Sequence, residues 1–222
     1  MSFLTPRRVV TAELLDEHDA PRDDVERSLR DLRTINYYAG GIRTYRRLLR
    51  RLVADPATAT VLDLGAGSAD LLDAIPAGRL RIALDFKIDH LLFRDRESKA
   101  RPVVADAKRL PFRSSSVDVV TSAHFFHHFT PDENRGILGE SLRVARIGVA
   151  VNDTRRHYAP LLIVWLLGRL GMVGRITRFD AIASVLRAYT ISEARGLAEA
   201  VAASRKKIVR SFPFRFGLLL WK

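Results

Sequence analysis

Short apolar runs alternate with helical segments through the middle of the chain, and this alternation constrains the fold more than any other feature. The runs are "ATVLDLG", "RIALDF", "PVVAD", "VDVVTSA" and "IGVAVND", which begin at residues 59, 81, 102, 117 and 147. Each run has the length and apolar content of a buried strand. Because strands that alternate with helices pair in parallel, the sequence predicts a doubly wound α/β sheet.

Helical segments flank this core on both sides. Residues 8–53 have helical periodicity that is broken at Gly40-Gly41, which predicts two N-terminal helices before the first strand. The two apolar runs around Pro213 predict a closing hairpin. We therefore divide the chain into an N-terminal helical cap, residues 1–55, and a domain of residues 56–222 that has a helical insertion at about 155–190.

Composition narrows the possible environments and partners. The 222 residues include no cysteine, which excludes disulfides and thiolate metal sites, and no other metal site is predicted. The N-terminal "MSFLTPRRVV" lacks the apolar segment of a signal peptide, so we expect a cytoplasmic protein. The formal net charge of +12 favours nucleic acid, anionic lipid or acidic metabolites as partners, although an arginine-rich solvated surface explains it equally well.

The turn "VLDLGAGSAD", residues 61–70, has the features of a ligand site. A strand that ends in Gly-x-Gly and opens a helix lets the backbone approach a ligand at Gly65 and Gly67. A dinucleotide fingerprint would place a third glycine at the position of Asp70, where a carboxylate would face the pyrophosphate. NAD and FAD are therefore disfavoured, and no Gly-Lys-Ser/Thr loop for nucleoside triphosphates occurs.

S-adenosylmethionine (SAM), a cation without a phosphate, is compatible with acidic residues near the turn. Asp85 ends the second strand, where a carboxylate can accept hydrogen bonds from both ribose hydroxyls. Asp106 ends the third strand and can accept from the adenine amino group. The sequence therefore predicts SAM as the cofactor and S-adenosylhomocysteine as its product.

The successive motifs "VLDLGAGSAD", "RIALDF", "VVADAKRLPF" and "VDVVTSAHFFHHF" resemble those of class I SAM-dependent methyltransferases. The resemblance covers residues 59–130 in order and spacing, and the hairpin at 205–222 resembles the last two strands of the family. It implies a Rossmann-like sheet of seven strands. The style of the motifs is similar to that of the group that modifies quinones and small molecules, including enzymes associated with polyketide biosynthesis.

The resemblance also implies roles for individual residues. The turn would hold the methionyl part of SAM, the second and third strand ends would hold the adenosine, and the fourth would form the floor under the sulfonium. The corresponding residues are Asp63, Gly65, Ala66 and Gly67; Asp85, Phe86, Asp106 and Ala107; and Ser122. The third glycine of the family is Ala69 here, and alanine does not readily adopt a positive φ.

Several side chains are candidates for the acceptor side of the site. His124 and His157 can act as general bases, because histidine titrates near neutral pH. His128 is a candidate substrate contact, although it and His127 stand where many family members have a structural pair. Tyr37, Tyr38 and Trp165 are further candidate substrate contacts, for which simple packing is the alternative.

We predict methyl transfer to oxygen or carbon of a small, partly apolar acceptor: a phenol, a quinone-like or a polyketide-like molecule. One alternative is an RNA methyltransferase, which the net charge favours but the missing Asn/Asp-Pro-Pro-aromatic motif and cysteine disfavour. The other is a non-catalytic SAM-binding protein. The sequence does not predict an oligomeric state.

The apolar stretch "YAPLLIVWLLG" is too short to span a bilayer. It fits either a buried cap helix or a peripheral membrane contact. The arginines predicted to surround it are Arg155, Arg156, Arg169, Arg175 and Arg178.

Overall fold

A seven-stranded sheet forms the centre of the protein in a computed structural model that describes residues 4–16, 21–76 and 79–222. The strand order is β3-β2-β1-β4-β5-β7-β6, with β1 to β5 parallel and β7 antiparallel to both neighbours. The strands are β1 (Thr60–Leu64), β2 (Leu80–Asp85), β3 (Arg101–Val104), β4 (Val117–Ala123), β5 (Ala145–Thr154), β6 (Arg205–Ser211) and β7 (Arg215–Trp221). The predicted doubly wound sheet and its closing hairpin are confirmed.

Eight α-helices accompany the sheet within the described residues. They are α1 (Arg22–Tyr38), α2 (Gly41–Leu52), α3 (Asp70–Asp73), α4 (Ile88–Leu92), α5 (Pro131–Val144), α6 (Tyr158–Arg169), α7 (Arg175–Arg187) and α8 (Ile191–Glu199). Local sequence sets some of these boundaries: Thr130 and Glu133 form a capping box at the start of α5, where Pro131 occupies the first turn.

The strand order reverses at β1, which lies between β2 and β4. Leu64 pairs with Leu84 of β2 and with Ser122 of β4, so the three strands end at nearly the same level. In open parallel sheets the crevice beyond the carboxyl ends at such a reversal is where ligands bind. The fold therefore places the candidate site at the carboxyl ends of β1, β2 and β4.

Helix α2 is part of the core and not of a cap. Leu48 and Leu49 are fully buried against the sheet, and a Cβ on Gly217 of β7 would lie 2.4 Å from Leu48 Cδ2. The prediction that all of residues 1–55 form a cap over the strand ends is therefore wrong for α2. In α2 the buried residues Tyr45, Leu48, Leu49 and Leu52 recur at spacings of three and four. One face of the helix is therefore apolar enough to pack on the sheet, and the arginines lie on the other.

Residues 6–13 form neither helix nor strand, and a short 3-10 helix follows at Leu14–Asp16, whereas the sequence predicts helical periodicity from residue 8. Val9 N donates to Leu186 O and Arg8 Nε to Arg187 O, both at the end of α7. Further along, the backbone N–H groups of Leu14 and Leu15 donate to the carboxylate of Asp180. These tertiary hydrogen bonds replace the intrahelical ones, and the first α-helix of the described residues begins at Arg22.

Candidate functional site

The turn after β1 follows an unusual backbone path. Gly65, Gly67 and Ala69 have φ angles of 63°, 52° and 60°, all in the left-handed region. The expectation that Ala69 would avoid a positive φ is therefore wrong. Its methyl group is completely buried, and its N–H donates to Ala66 O at 2.8 Å, so the surrounding turn imposes the strained conformation.

Asp85 ties this turn to the end of β2. Its Oδ2 accepts from Gly67 N at 2.9 Å, and its Oδ1 accepts from Lys87 N at 3.0 Å. Although burial raises the pKa of Asp85, His90 and the two N–H donors outweigh it and lower the pKa below its usual value. The carboxylate is thus ionised. Its Oδ1 also faces His90 Nδ1 at 3.7 Å, whereas Oδ2 has a second lone pair with which to accept from a hydroxyl.

An exposed ring and an exposed carboxylate follow the ends of β2 and β3. Phe86 leaves 69% of its surface exposed directly after Asp85. Asp106 is exposed and accepts from Lys108 N at 2.9 Å, while Ala107 beside it is buried. Ala105 N donates to Asp85 O at 3.1 Å, which holds the two strand ends together. These groups can stack on a flat ring and accept from an amino group.

Asp63 lies inside the protein beneath the turn. Thr121 Oγ1 donates to Asp63 Oδ1 at 2.6 Å and lies 2.8 Å from the hydroxyl oxygen of Tyr45. Burial, strengthened by the negative charge of Asp70, raises the pKa of Asp63 to about 7, although the hydrogen bond from Thr121 opposes it. Asp63 therefore supports the turn from below.

Phe125, which the sequence analysis did not single out, covers Gly65. A Cβ added to Gly65 would lie 2.3 Å from Phe125 Cδ2, so the ring rests directly on the glycine. Phe126 and Phe129 pack edge-on against the same ring, at centroid distances of 6.0 and 4.8 Å. By contrast, a Cβ on Gly67 would meet nothing within 4 Å. The open part of the turn is therefore at Gly67.

Ser122 and His124 lie at the carboxyl end of β4. Ser122 Oγ and His124 Nε2 are both buried and have no hydrogen-bond partner among the described residues. Burial and the positive charge of Arg215 lower the pKa of His124 well below its usual value, although Asp153 opposes them. The imidazole is therefore neutral at physiological pH. Its other nitrogen, Nδ1, lies 3.3 Å from Thr154 Oγ1.

His157 is placed as a helix cap. Its Nδ1 accepts from Ala159 N at 3.1 Å at the start of α6, and its ring packs on Phe214 at a centroid distance of 5.1 Å. The nitrogen that could accept a proton is thus engaged by the backbone. His124, by contrast, has a buried nitrogen without a hydrogen-bond partner among the described residues, directly after β4.

The predicted tyrosine and tryptophan contacts lie at the surface. Tyr37 and Tyr38 pack edge-on at the end of α1 and are 68% and 81% exposed. Tyr37 lines two grooves beside α1 and α2, of about 460 and 660 Å³, and neither is lined by Asp85, Phe86 or Asp106. Trp165 on α6 is half-exposed beneath the guanidinium of Arg169. The first groove is also lined by Asp70, which begins α3 directly after the turn, and contact of the three side chains with the acceptor stays a prediction.

A buried ionic network lies beside His124. His127 Nδ1 is 2.8 Å from Asp153 Oδ1, and His127 Nε2 is 3.3 Å from Glu13 Oε1. Although burial alone would lower the pKa of His127, the two carboxylates raise it to about 10. Neither acid is predicted from the sequence. Asp153 is the last but one residue of β5 and Asp85 is the last of β2, so a carboxylate near a strand end was an available signal, whereas nothing local marks Glu13.

The residues at the strand ends fit SAM on its adenosine side. Asp85 offers acceptors for ribose hydroxyls, Phe86 an exposed ring for adenine, and Asp106 an acceptor for its amino group. On the methionyl side, Gly67 is open, and the unpaired Ser122 Oγ is a buried group that needs a partner.

Comparison with known proteins agrees with this assignment. Residues 62–151 match a family model described as a methyltransferase domain. A demethylmenaquinone methyltransferase of Roseiflexus sp. (strain RS-1) is 31% identical over 128 residues, which cover 54% of this chain and 53% of the relative. The chain thus spans about half the length of the curated relative that it matches.

Solved structures share the fold at low identity. A SAM-dependent methyltransferase from Aquifex aeolicus has a TM-score of 0.60 and 17% identity, covering 87% of this chain and 97% of that one. Human N-acetylserotonin methyltransferase, solved with SAM, has a TM-score of 0.63 and 12% identity, and the match covers 91% of this chain and 56% of that one. Residues 62–151 therefore match a methyltransferase domain, and the order of the seven strands is that of the class I methyltransferase fold.

Proposed function

We propose that the protein transfers the methyl group of SAM to oxygen or carbon of a small, partly apolar acceptor with an acidic hydroxyl, of the phenol, quinone or polyketide type. The observation that carries this proposal is the pair of buried, unpaired polar atoms where β4 leaves the sheet, Ser122 Oγ and His124 Nε2. The related demethylmenaquinone methyltransferase supports an acceptor of quinone type.

SAM supplies a methyl group that its sulfonium already activates, so the residues of this chain mainly bind, orient and exclude water. Asp85, Phe86 and Asp106 would hold the adenosine at the ends of β2 and β3. The turn at Gly67, with Ser122 below, would face the methionyl part. Asp63 and Thr121 hold the base of the turn in one geometry.

His124 would accept a hydrogen bond, and then the proton, from the hydroxyl of the acceptor. A neutral imidazole can do so because its Nε2 carries a free lone pair. Its lowered pKa suits an acidic hydroxyl, such as that of a quinol or an enol, better than an aliphatic alcohol.

Turnover to S-adenosylhomocysteine tests the proposal. The purified protein is incubated with methyl-deuterated SAM and a panel of naphthoquinols, phenols, enolic polyketide mimics and transfer RNA, and products are located by mass spectrometry. We expect labelled product from the first three classes, and a loss of kcat on the order of 100-fold in His124→Ala but not in His157→Asn. Labelling of RNA alone would support the nucleic-acid alternative, and SAM binding without turnover would support a non-catalytic protein.

Replacing Asp85 by alanine is expected to weaken SAM binding more than replacing Asp106. Charge-assisted hydrogen bonds to two ribose hydroxyls contribute about 1.5–3 kcal/mol, or roughly 10- to 150-fold in affinity. Asp106 is exposed, so Asp106→Ala should lose less affinity for SAM. Titration calorimetry measures both affinities, and circular dichroism checks that each variant is folded. Equal affinity of Asp85→Ala and the wild type would contradict the ribose assignment.

Helix α6 presents an unusual apolar surface. None of its residues is buried, and Leu162, Trp165 and Leu166 each expose about half of their surface or more. Of the two alternatives for this stretch, a fully buried cap helix is therefore wrong. Among the surrounding arginines, Arg156 is buried and pairs with Glu193, so it does not belong to the solvated rim. No helix of the described ranges is both long and apolar enough to cross a membrane.

We further propose that α6 rests on an anionic bilayer, from which an apolar acceptor would be taken. An apolar helix face with arginines nearby suits such an interface, and each basic residue contributes about 1 kcal/mol. The cytoplasmic location expected from the sequence stays a prediction.

Flotation with phosphatidylglycerol-containing vesicles is expected to carry the protein upward at low salt and less so at high salt, because salt screens exposed charges. Trp165→Ser combined with Leu166→Ser should reduce the bound fraction about tenfold or more, since two large apolar side chains are lost. Phe212→Ser, which removes an exposed ring from the turn of the hairpin, is the matched control. A wild-type protein that stays at the bottom of the gradient would exclude this membrane contact.

A further inference from the structure

Three side chains that can bind a metal converge where the N-terminal segment crosses the loop after β4. Glu13, His127 and His128 each present one ligand atom, and these atoms lie within 4.8 Å of one another. Within the described ranges, no other group of three such side chains converges in this way. Glu13 is more than 100 residues away from the histidines in sequence, so the folded chain alone brings the three together.

The spacing of the three groups is close to that of a metal site. His127 Nε2 lies 3.3 Å from Glu13 Oε1, and His128 Nε2 lies 3.8 Å from Glu13 Oε2. Bonds of about 2.1 Å to a tetrahedral cation place neighbouring ligand atoms roughly 3.4 Å apart. Small shifts of the side chains would therefore accommodate a cation.

The carboxylate of Asp153 orients His127 in the way that outer-sphere partners orient the ligands of metal proteins. The carboxylate of Asp153 holds His127 Nδ1 at 2.8 Å and turns Nε2 toward Glu13. His127 is 1% exposed, and its Nε2 faces Glu13 Oε1 as an ion-pair partner, without the alignment of a hydrogen bond. A carboxylate on the far nitrogen of a buried imidazole is the usual support of a metal-binding histidine.

Ser184 and Arg187 contact the carboxylate of Glu13. Ser184 Oγ donates to Oε1 at 2.6 Å, and Arg187 Nη1 lies 3.8 Å from the same oxygen. These contacts engage Oε1 and leave Oε2 on the side of His128. The side chain of His128 is 19% exposed, which provides a path of entry from solvent.

We propose that Glu13, His127 and His128 form a binding site for a divalent first-row transition cation, with Asp153 as the residue that orients His127. Two imidazoles and one carboxylate suit Zn²⁺, Fe²⁺ or Co²⁺ better than Mg²⁺ or Ca²⁺, which prefer oxygen ligands. The cation would take the place of the ion pair between His127 Nε2 and Glu13 Oε1.

The site joins the N-terminal segment to the loop after β4, which Arg8 also connects by donating to Phe129 O at 3.1 Å. Glu13 belongs to this segment, which Lys87 also contacts by donating from Nζ to Leu15 O at 2.9 Å. His127 and His128 follow β4, and the ring of His127 lies 6.5 Å from that of His124. The cation therefore fastens the N-terminal segment across the carboxyl edge of the sheet, beside the proposed acceptor site.

Cobalt spectroscopy on the full-length protein tests the proposal independently of methyl transfer. Protein dialysed against a chelator is titrated with Co²⁺ and monitored by visible d–d absorption, and Zn²⁺ is then added as a competitor and followed by calorimetry. The variants are Glu13→Gln, which keeps the shape of the side chain, and His128→Ala, which is partly exposed. His157→Asn, a histidine outside the cluster, is the control.

We expect one equivalent of Co²⁺ to bind in the micromolar range or tighter, with d–d bands that Zn²⁺ abolishes. Both ligand variants should lose at least about tenfold in affinity, whereas His157→Asn should bind as the wild type does. Absence of d–d bands in the wild type, or unchanged binding in the two ligand variants, would overturn the proposal and leave the cluster as an ion-pair network. Either ligand variant is sufficient for this decision if the other is unfolded.

Discussion

Replacing Gly65 by alanine is expected to lower the free energy of unfolding by about 2–5 kcal/mol. Two costs add at this position. The backbone φ of 63° disfavours any residue with a Cβ by about 1–2 kcal/mol. The new methyl group would also lie 2.3 Å from the ring of Phe125, and overpacking of this kind costs about 1–3 kcal/mol.

Phe125 cannot easily relieve the clash, because Phe126 and Phe129 pack against its ring. Gly67→Ala is the matched control: its φ is also positive, at 52°, but a Cβ there would meet nothing within 4 Å. It should therefore show only the backbone cost of about 1–2 kcal/mol. Urea denaturation without SAM compares the two variants. Equal losses of stability would show that the ring of Phe125 does not rest on Gly65 in solution.

The sheet was predictable because its strands are encoded locally. The central strands β1, β2 and β4 are buried on both faces and therefore mainly apolar, whereas β3 at the edge is largely exposed. Carboxylates such as Asp85 stand where the strands end. Parallel pairing follows from the alternation with helices, and the position of the SAM site follows from the pairing. These inferences need no knowledge of which distant residues touch.

The features that were missed depend on such distant contacts. Glu13 approaches His127 because the N-terminal segment bonds to Asp180 and to the end of α7, and no local pattern indicates that path. Phe125 looks like any apolar residue of "HFFHHF" until the fold places it on Gly65. Ala69 follows the same rule: its local preference predicts a negative φ, and the tightly bonded turn overrides it.

Wild-type stability is expected to fall between about pH 4 and pH 7 through the ionisation of Asp63, and Asp63→Asn should remove this component. Burial raises the pKa of Asp63 to about 7 in the folded protein, against about 3.9 in the unfolded chain. The folded state therefore holds a proton that the unfolded chain has released at these pH values. Three pH units at 1.36 kcal/mol each make the cost on the order of 4 kcal/mol above pH 7.

The sign of this effect follows from the raised pKa. Below about pH 4 both states are protonated and Asp63 costs nothing, whereas above about pH 7 both are ionised and the full desolvation cost of the buried carboxylate is present. Asparagine has nearly the same shape, can still accept from Thr121 Oγ1, and does not titrate. Other groups titrate in both proteins. The measured quantity is therefore the unfolding free energy of Asp63→Asn minus that of the wild type, obtained by urea denaturation without SAM at pH 4.5 and again at pH 8. The stability of Asp63→Asn relative to the wild type should increase as the pH rises. The same dependence of the unfolding free energy on pH in both proteins would contradict the buried, protonated state of Asp63.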